Sequence, residues 1–440
     1  MNAGVLTLLL RPARGENSVL VLPVVAFGIV TTLVLTVIGG AQSFWRWSDD
    51  TAAFYQALAG IALVLLVVPL MSLGGAAARL SARRRDERLS TLRLLGVTPA
   101  GVTVATVAES LLVAAVGAAI GVAGHLAISP LIGLIPFRGA PLGFDAVLLP
   151  PVPILLVVAV VLLLAVVSAS IGLRRVVISP LGVRTRAVVT KMHWIRAVIA
   201  VGGLAIAFVL IKAVPDIAGG MIAVIVLCGL YAAALAVLNL VGPWALSIWA
   251  RTSLRRAQEP DRMLSARIVL DAPKAAWRQV GGIAMASFMA VFAGTGVALM
   301  AEIDGPGASG ADATLAADIR TGLIITLIGS FLMVAASVGI NQAADVIDQG
   351  DLHRSLHQLG MPMEMIDRAR RRSIVAPVLV TSLGSALCAA FLVFPLLGIA
   401  LITAPVSIAT IAVVLVTGIG LVWASTWATR PLLGRAFQPV

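Results

Sequence analysis

Blocks of about 20 or more apolar residues recur along the whole 440-residue chain, separated by short breaks that carry the charge. About 20 apolar residues in a helix span the roughly 30 Å of bilayer hydrocarbon. Inside lipid a helix satisfies its backbone N–H and C=O groups without help from water. Composition points the same way. The chain is 60% hydrophobic and 12% charged, with a mean hydropathy of +1.05, which leaves too little charge to cover a soluble core. The expected fold is an all-α polytopic membrane protein with no large soluble domain.

Ten spans are expected, at roughly 18–40, 53–77, 100–125, 150–172, 195–213, 219–249, 279–301, 321–342, 374–394 and 405–428. Pro and Gly blur the boundaries near 126–150 and 395–404. An even count puts both termini on one side. With that alternation, 28 of the 32 Arg and Lys residues fall on the side of the termini, and Arg46, Arg138, Lys212 and Arg320 on the other. Positive charge resists translocation, so the first side is expected to be cytosolic. The net charge of +12 thus reflects orientation in a cell membrane, and nucleic acid is not an expected partner. The opening run MNAGVLTLLLRPARGE places Arg11 and Arg14 after its apolar stretch. That is the wrong order for a signal peptide, and a surface-lying amphipathic helix is expected instead.

Two of the cytosolic segments resemble each other: RRRDERLSTLRLLGVTP (83–99) and IDQGDLHRSLHQLGMP (347–362). Setting Leu95-Gly96 on Leu359-Gly360 gives an offset of 264, with Glu87 opposite Asp351 and Leu92 opposite Leu356. A second anchor, Pro12 on Pro273 within LTLLLRPAR and ARIVLDAPK, gives 261. The near-equal offsets imply an internal repeat of the kind transporters are built from. The expected organisation is a four-span unit over 1–173, a two-span linker insert over 174–261 and a second four-span unit over 262–440.

The repeated segment has the form of a device. Leu80, Leu89, Leu92 and Leu95 recur at helical spacing on a charged helix. Gly96 suits the left-handed residue that ends a helix, and Thr98-Pro99 suits an N-cap and first turn for the third span. Gly360 and Pro362 repeat the arrangement. A rigid turn between a cytosolic helix and a span can pass on force from a partner pressing on the helix.

The run RRRDERLSTLRLLGVTPAGVTVATVAESLLVAAVGAAIG resembles the signature of FtsX-like (MacB-type) ABC permeases, with Glu109, Gly117 and Gly121 in the following span. The likeness is specific over about 72–125 and looser over 340–375. It implies a permease subunit whose coupling helices dock on a separate cytosolic ATPase, in two copies, which binds the ATP and Mg while this chain binds no cofactor. The residues it marks for coupling are Arg84, Glu87, Arg88, Leu92, Leu95 and Gly96, then Asp351, Leu356, Leu359 and Gly360. Many members carry a large extracellular domain. Here the two outer loops that would hold it are only about 41–52 and 302–320. Membrane lipids, a second permease chain and an extracellular partner protein are the other candidate partners.

Other motifs carry less. No GxxxxGK[ST] occurs in the sequence, so phosphates are not cradled that way. GPGASG (305–310) matches GxGxxG, but it lies between two spans, contains Pro306 and follows no strand. His353 and His357 stand at i and i+4 without HExxH, as a solvated face would. Cys228 and Cys388 fall inside apolar spans and suggest neither a disulfide nor a metal. Glu109 is the carboxylate well inside a span; such groups are expensive in lipid, and a bond to a neighbouring helix is expected for it. Gly117, Gly121 and Gly124, and also Gly294 and Gly296, offer small faces for helix contact. Trp45, Trp47, Trp194, Trp277, Trp423 and Trp427 lie near span ends, as interface anchors do.

The function expected from all this is non-enzymatic. The chain would be the permease of an ABC exporter for lipid-like or amphiphilic cargo. The alternative is an ion-coupled secondary transporter, which would need several charges near the bilayer midplane.

Overall fold

The computed structural model describes residues 17–49, 51–83, 99–178, 202–203, 221–303, 311–348, 355 and 358–428. Among them, nine helices are long and apolar enough to cross a membrane, which makes this an all-α polytopic membrane protein. Each of the nine overlaps one of the ten expected spans. The other expected span, 195–213, lies outside the described residues apart from Gly202 and Gly203. The chain divides into two compact units, Met1–Arg186 with Gly339–Asp345, and Ala187–Val338 with Val346–Val440.

The first unit contains α1 (Asn17–Gln42), α2 (Ala52–Arg83), α3 (Pro99–Gly133), a short hairpin of β1 (Pro136–Phe137) and β2 (Ala140–Pro141), α4 (Phe144–Val147) and α5 (Pro151–Ile178). The third span runs further than expected, because α3 continues through Pro130 to Gly133. A proline this close to the helix end removes one backbone bond without forcing a stop. The blurred stretch after it is the hairpin. Arg138 (φ 54°) and Gly139 (φ 76°) both adopt left-handed backbone between paired Phe137 and Ala140, the geometry of a two-residue primed turn. Arg138 then ties the end of the bundle together. It reaches Asp49 at 3.0 Å and Thr51 at 2.6 Å, and its guanidinium lies 3.9 Å from the Trp47 ring centroid. The hydrogen bond from Thr51, and next Arg138, hold the Asp49 carboxyl below its ordinary value.

Within this unit α1 packs most extensively on α3. The buried face of α3 is mostly small: Thr106, Ser110, Ala114, Ala118 and Ser129, with Gly117 and Gly121 between, and Val113 and His125 as its larger members. A Cβ at 117 would lie 2.7 Å from both Phe27 Cβ and the Val24 carbonyl. A Cβ at 124 would lie 2.5 Å from Thr32 Oγ1. The hydroxyl of Thr32 donates to the Gly121 carbonyl at 3.1 Å, across the two helices. Lipid supplies no hydrophobic drive for two helices to associate, so close backbone approach and hydrogen bonds have to do it.

The second unit contains α6 (Met221–Arg255), α7 (Pro260–Asp271), α8 (Pro273–Ile303), most of α9 (Ala311–Asp348), α10 (Met363–Leu392), α11 (Phe394–Thr403) and α12 (Pro405–Ala428). Here α8 packs most extensively on α10, and buried Ser287 and Ser382 share a 2.8 Å hydrogen bond between them. Leu246, Ile283, Phe331, Val334, Val378 and Val422 form its core. Trp277 differs from expectation. It is 5% exposed, and its indole N–H donates to Asn239 at 2.7 Å, so it packs inward as well as sitting near a span end. Gly294 meets Ile411 of α12, whereas a Cβ at Gly296 would meet nothing within 4 Å.

Candidate functional site: a left-handed turn and its charged support

Ahead of α10 the Leu359 N–H donates to the Ser355 carbonyl at 3.0 Å. Gly360 then takes φ +92°. Side chains rarely adopt that conformation and glycine adopts it freely. Pro362 follows with φ −62° and ψ 140°, and its carbonyl accepts from the N–H groups of Met365 and Ile366 to start α10. Left-handed glycine and N-terminal proline thus run directly into a span. Leu359, beside the glycine, is 84% exposed.

The first turns of α10 are braced by ion pairs. Asp367 bonds Arg370 at 3.0 Å and Arg371 at 3.1 Å, and the Arg371 guanidinium lies 4.2 Å from the Trp427 ring centroid of α12. One residue on, Arg372 bonds Glu259 at 3.1 Å and also buried Asp261 at the start of α7. Arg262 lies 3.1 Å from Glu259 as well. The hydrogen bond from Arg372 and the charge of Arg262 hold the Glu259 carboxyl below its ordinary value. A depressed carboxyl contributes stability above its unfolded value and loses it as pH falls through the folded one, so the clasp is intact at neutral pH. Arg372→Ala should cost about 1–3 kcal/mol, because buried Asp261 loses a charged partner. Asp261→Asn added to that variant should recover part of the loss. Denaturant unfolding of the purified protein measures both, and an unchanged midpoint for Arg372→Ala would show the clasp to be idle.

The residues expected to couple are placed unevenly. Leu359 and Gly360 are the two whose geometry is given above. Arg84, Glu87, Arg88, Leu92, Leu95, Gly96, Asp351 and Leu356 lie outside the described residues, as do His353, His357 and the loop 305–310. Glu109 is half-buried on α3.

One polar residue went unremarked in the sequence. His125 on α3 is fully buried, with Nδ1 3.4 Å from both Thr36 Oγ1 of α1 and Ser129 Oγ. Its Nε2 has no hydrogen-bond partner among the described residues. The available signal was the i, i+4 pair His125 and Ser129 in the apolar run after Ser110, with a second such pair, Thr32 and Thr36, in the first span.

Residues 60–181 match the family model described as FtsX-like permease C-terminal. The matched stretch takes in most of α2, the segment 84–98, α3, the hairpin, α4 and α5. No curated protein is similar enough to the chain to count as a match. Motif, helical architecture and family match agree: residues 60–181 are similar to the FtsX-like permease domain, whose family supplies membrane subunits of ABC transporters that work beside a cytosolic ATPase.

Proposed function

We propose that the chain is the permease of an ABC exporter, in which two FtsX-like units move a lipid-like or amphiphilic molecule when two cytosolic ATPase chains close around ATP and Mg. The observation that carries this reading is the Gly360 turn with exposed Leu359 beside it. An apolar side chain presented at the tip of a rigid turn suits a groove on a partner, and the turn feeds straight into α10. Sequence correspondence extends the same role to 83–97, ahead of α3. The parallel packing of α1 on α3 and of α8 on α10 supports a duplicated plan, with 1–173 and 262–440 as the copies and 174–261 as the insert. Both termini and both coupling segments would face the cytosol, on the strength of the 28-to-4 charge division.

The cargo follows from what the spans offer. They hold few charges, so a hydrophilic molecule would find no polar path, and the outer loops are short. An amphiphile entering sideways from the bilayer needs neither. With permease and ATPase in liposomes, lipids and hydrophobic drugs should raise ATP hydrolysis several-fold with no third protein present, while sugars, amino acids and free peptides should not. In the same vesicles, a cysteine at position 90 should react only with reagents on the side where the ATPase binds. Stimulation solely by a soluble peptide, or solely after an extracellular partner is added, would rule out the lipid-side route.

A further inference from the structure

The helix α7 has two unlike faces. Asp261, Ser265, Ala266 and Val269 are buried against the neighbouring helices of the second unit. The opposite face carries Met263, 52% exposed, Ile268, 44% exposed, and exposed Arg267 and Asp271. Two bulky apolar side chains so exposed on a 12-residue helix are poorly placed for water. The helix joins the end of the span Ala233–Arg255 to the start of the span Pro273–Leu299. Ala272, at φ −143° and ψ 65°, breaks it from α8, and Pro273 begins the new helix. A connector with those endpoints lies at a bilayer surface, where an apolar face sinks into the boundary between headgroups and acyl chains.

Its flanks are basic. Arg255 ends α6, Arg256 follows it and Lys274 lies in the first turn of α8, all three exposed, so that along the chain they flank the helix that carries Arg267 and the apolar pair. Of the acidic residues nearby, Glu259 and Asp261 are engaged by Arg372, which leaves Asp271 as the acid on the exposed face. Long basic side chains beside a membrane-embedded apolar face reach up to phosphate level, and each is attracted to an anionic leaflet over roughly a screening length. From this we infer that the exposed face of α7, with Arg255, Arg256, Arg267 and Lys274, is a docking surface for the headgroups of anionic phospholipids. Methionine and isoleucine set the depth of the helix, and the four basic groups set the preference for charge.

A fluorophore at position 263 tests the inference in the full chain, with Met263→Cys placed in a Cys228→Ala, Cys388→Ala background and assembled into phosphatidylcholine nanodiscs. Headgroup-spin-labelled phosphatidylglycerol should quench it about threefold or more above spin-labelled phosphatidylcholine at equal mole fraction, given four nearby basic groups. Raising the salt from about 0.1 to 1 M, which cuts the screening length from about 10 to 3 Å, should shrink that preference. Replacing the four basic residues with Gln should abolish it, and Lys in place of the three arginines should keep it. Equal quenching by both lipids overturns the inference, as does a preference that survives the Gln variant. So does loss of the preference on adding millimolar inorganic phosphate, which would mean a site for free anion. A label that neither lipid quenches, and that becomes shielded when the ATPase is added, would mean a protein-docking face and would also overturn it.

Discussion

Gly121→Leu should lower the stability of the first unit by about 1–3 kcal/mol, the range for forcing bulk into a packed interface. A Cβ at that position would run into Thr31 Cβ and come within 2.8 Å of the Gly28 carbonyl. Thr31 has little room to give, since it is fully buried and its hydroxyl is bonded to the Phe27 carbonyl at 2.8 Å. The strain would therefore push α1 and α3 apart. That would also stretch the hydrogen bond from Thr32 to the Gly121 carbonyl. Gly296→Leu is the matched control, because a Cβ there meets nothing; it should change stability by no more than about 0.5 kcal/mol. Denaturant titration of the two purified variants compares them, and equal midpoints would mean that the glycine face does not set the helix spacing.

The contrast between those two glycines shows how far the sequence can be read. Spans were legible because length and apolarity alone define them, although the seventh begins at Pro273, ahead of the expected 279. Helix pairing was much less so. In lipid an apolar face does not say which neighbour it wants, and Gly294 and Gly296 look alike in sequence although only Gly294 meets another helix. The small stripe at 117, 121 and 124 hinted at a contact without naming α1 as the partner. The charged residues over 354–372 count in sequence only toward the cytosolic side. In the fold Asp367 and Arg370 are buried, and Arg372 reaches across more than a hundred residues of chain to Asp261. Nothing local encodes such a pair. His125 was missed for the opposite reason, since one imidazole ring among apolar residues breaks no pattern. The turn at Gly360 was legible, because a helix followed by glycine and then proline has few ways to fold.

That turn carries the largest functional effect. Gly360→Val should abolish most of the ATP hydrolysis that the permease stimulates in its partner, while the chain still inserts in the membrane. The backbone at φ +92° costs an L-residue roughly 1–2 kcal/mol, and more for a β-branched one. Valine would therefore shift the turn to another conformation rather than hold it. Leu359 would then point elsewhere and α10 would lose its fixed link to the segment before it. Gly360→Asn is the informative companion, since asparagine tolerates left-handed backbone better than other side chains, and it should retain a substantial part of the stimulation. In the first unit, replacing Glu87 and Leu95 together, or Gly96→Val alone, should have the same effect if the two segments are copies of one device. A defect confined to the 360 variant would mean that one turn drives the ATPase by itself. Stimulation at the wild-type level in Gly360→Val, with membrane insertion unchanged, would remove the turn from the coupling path and leave Leu359 as an exposed residue without a partner to fill.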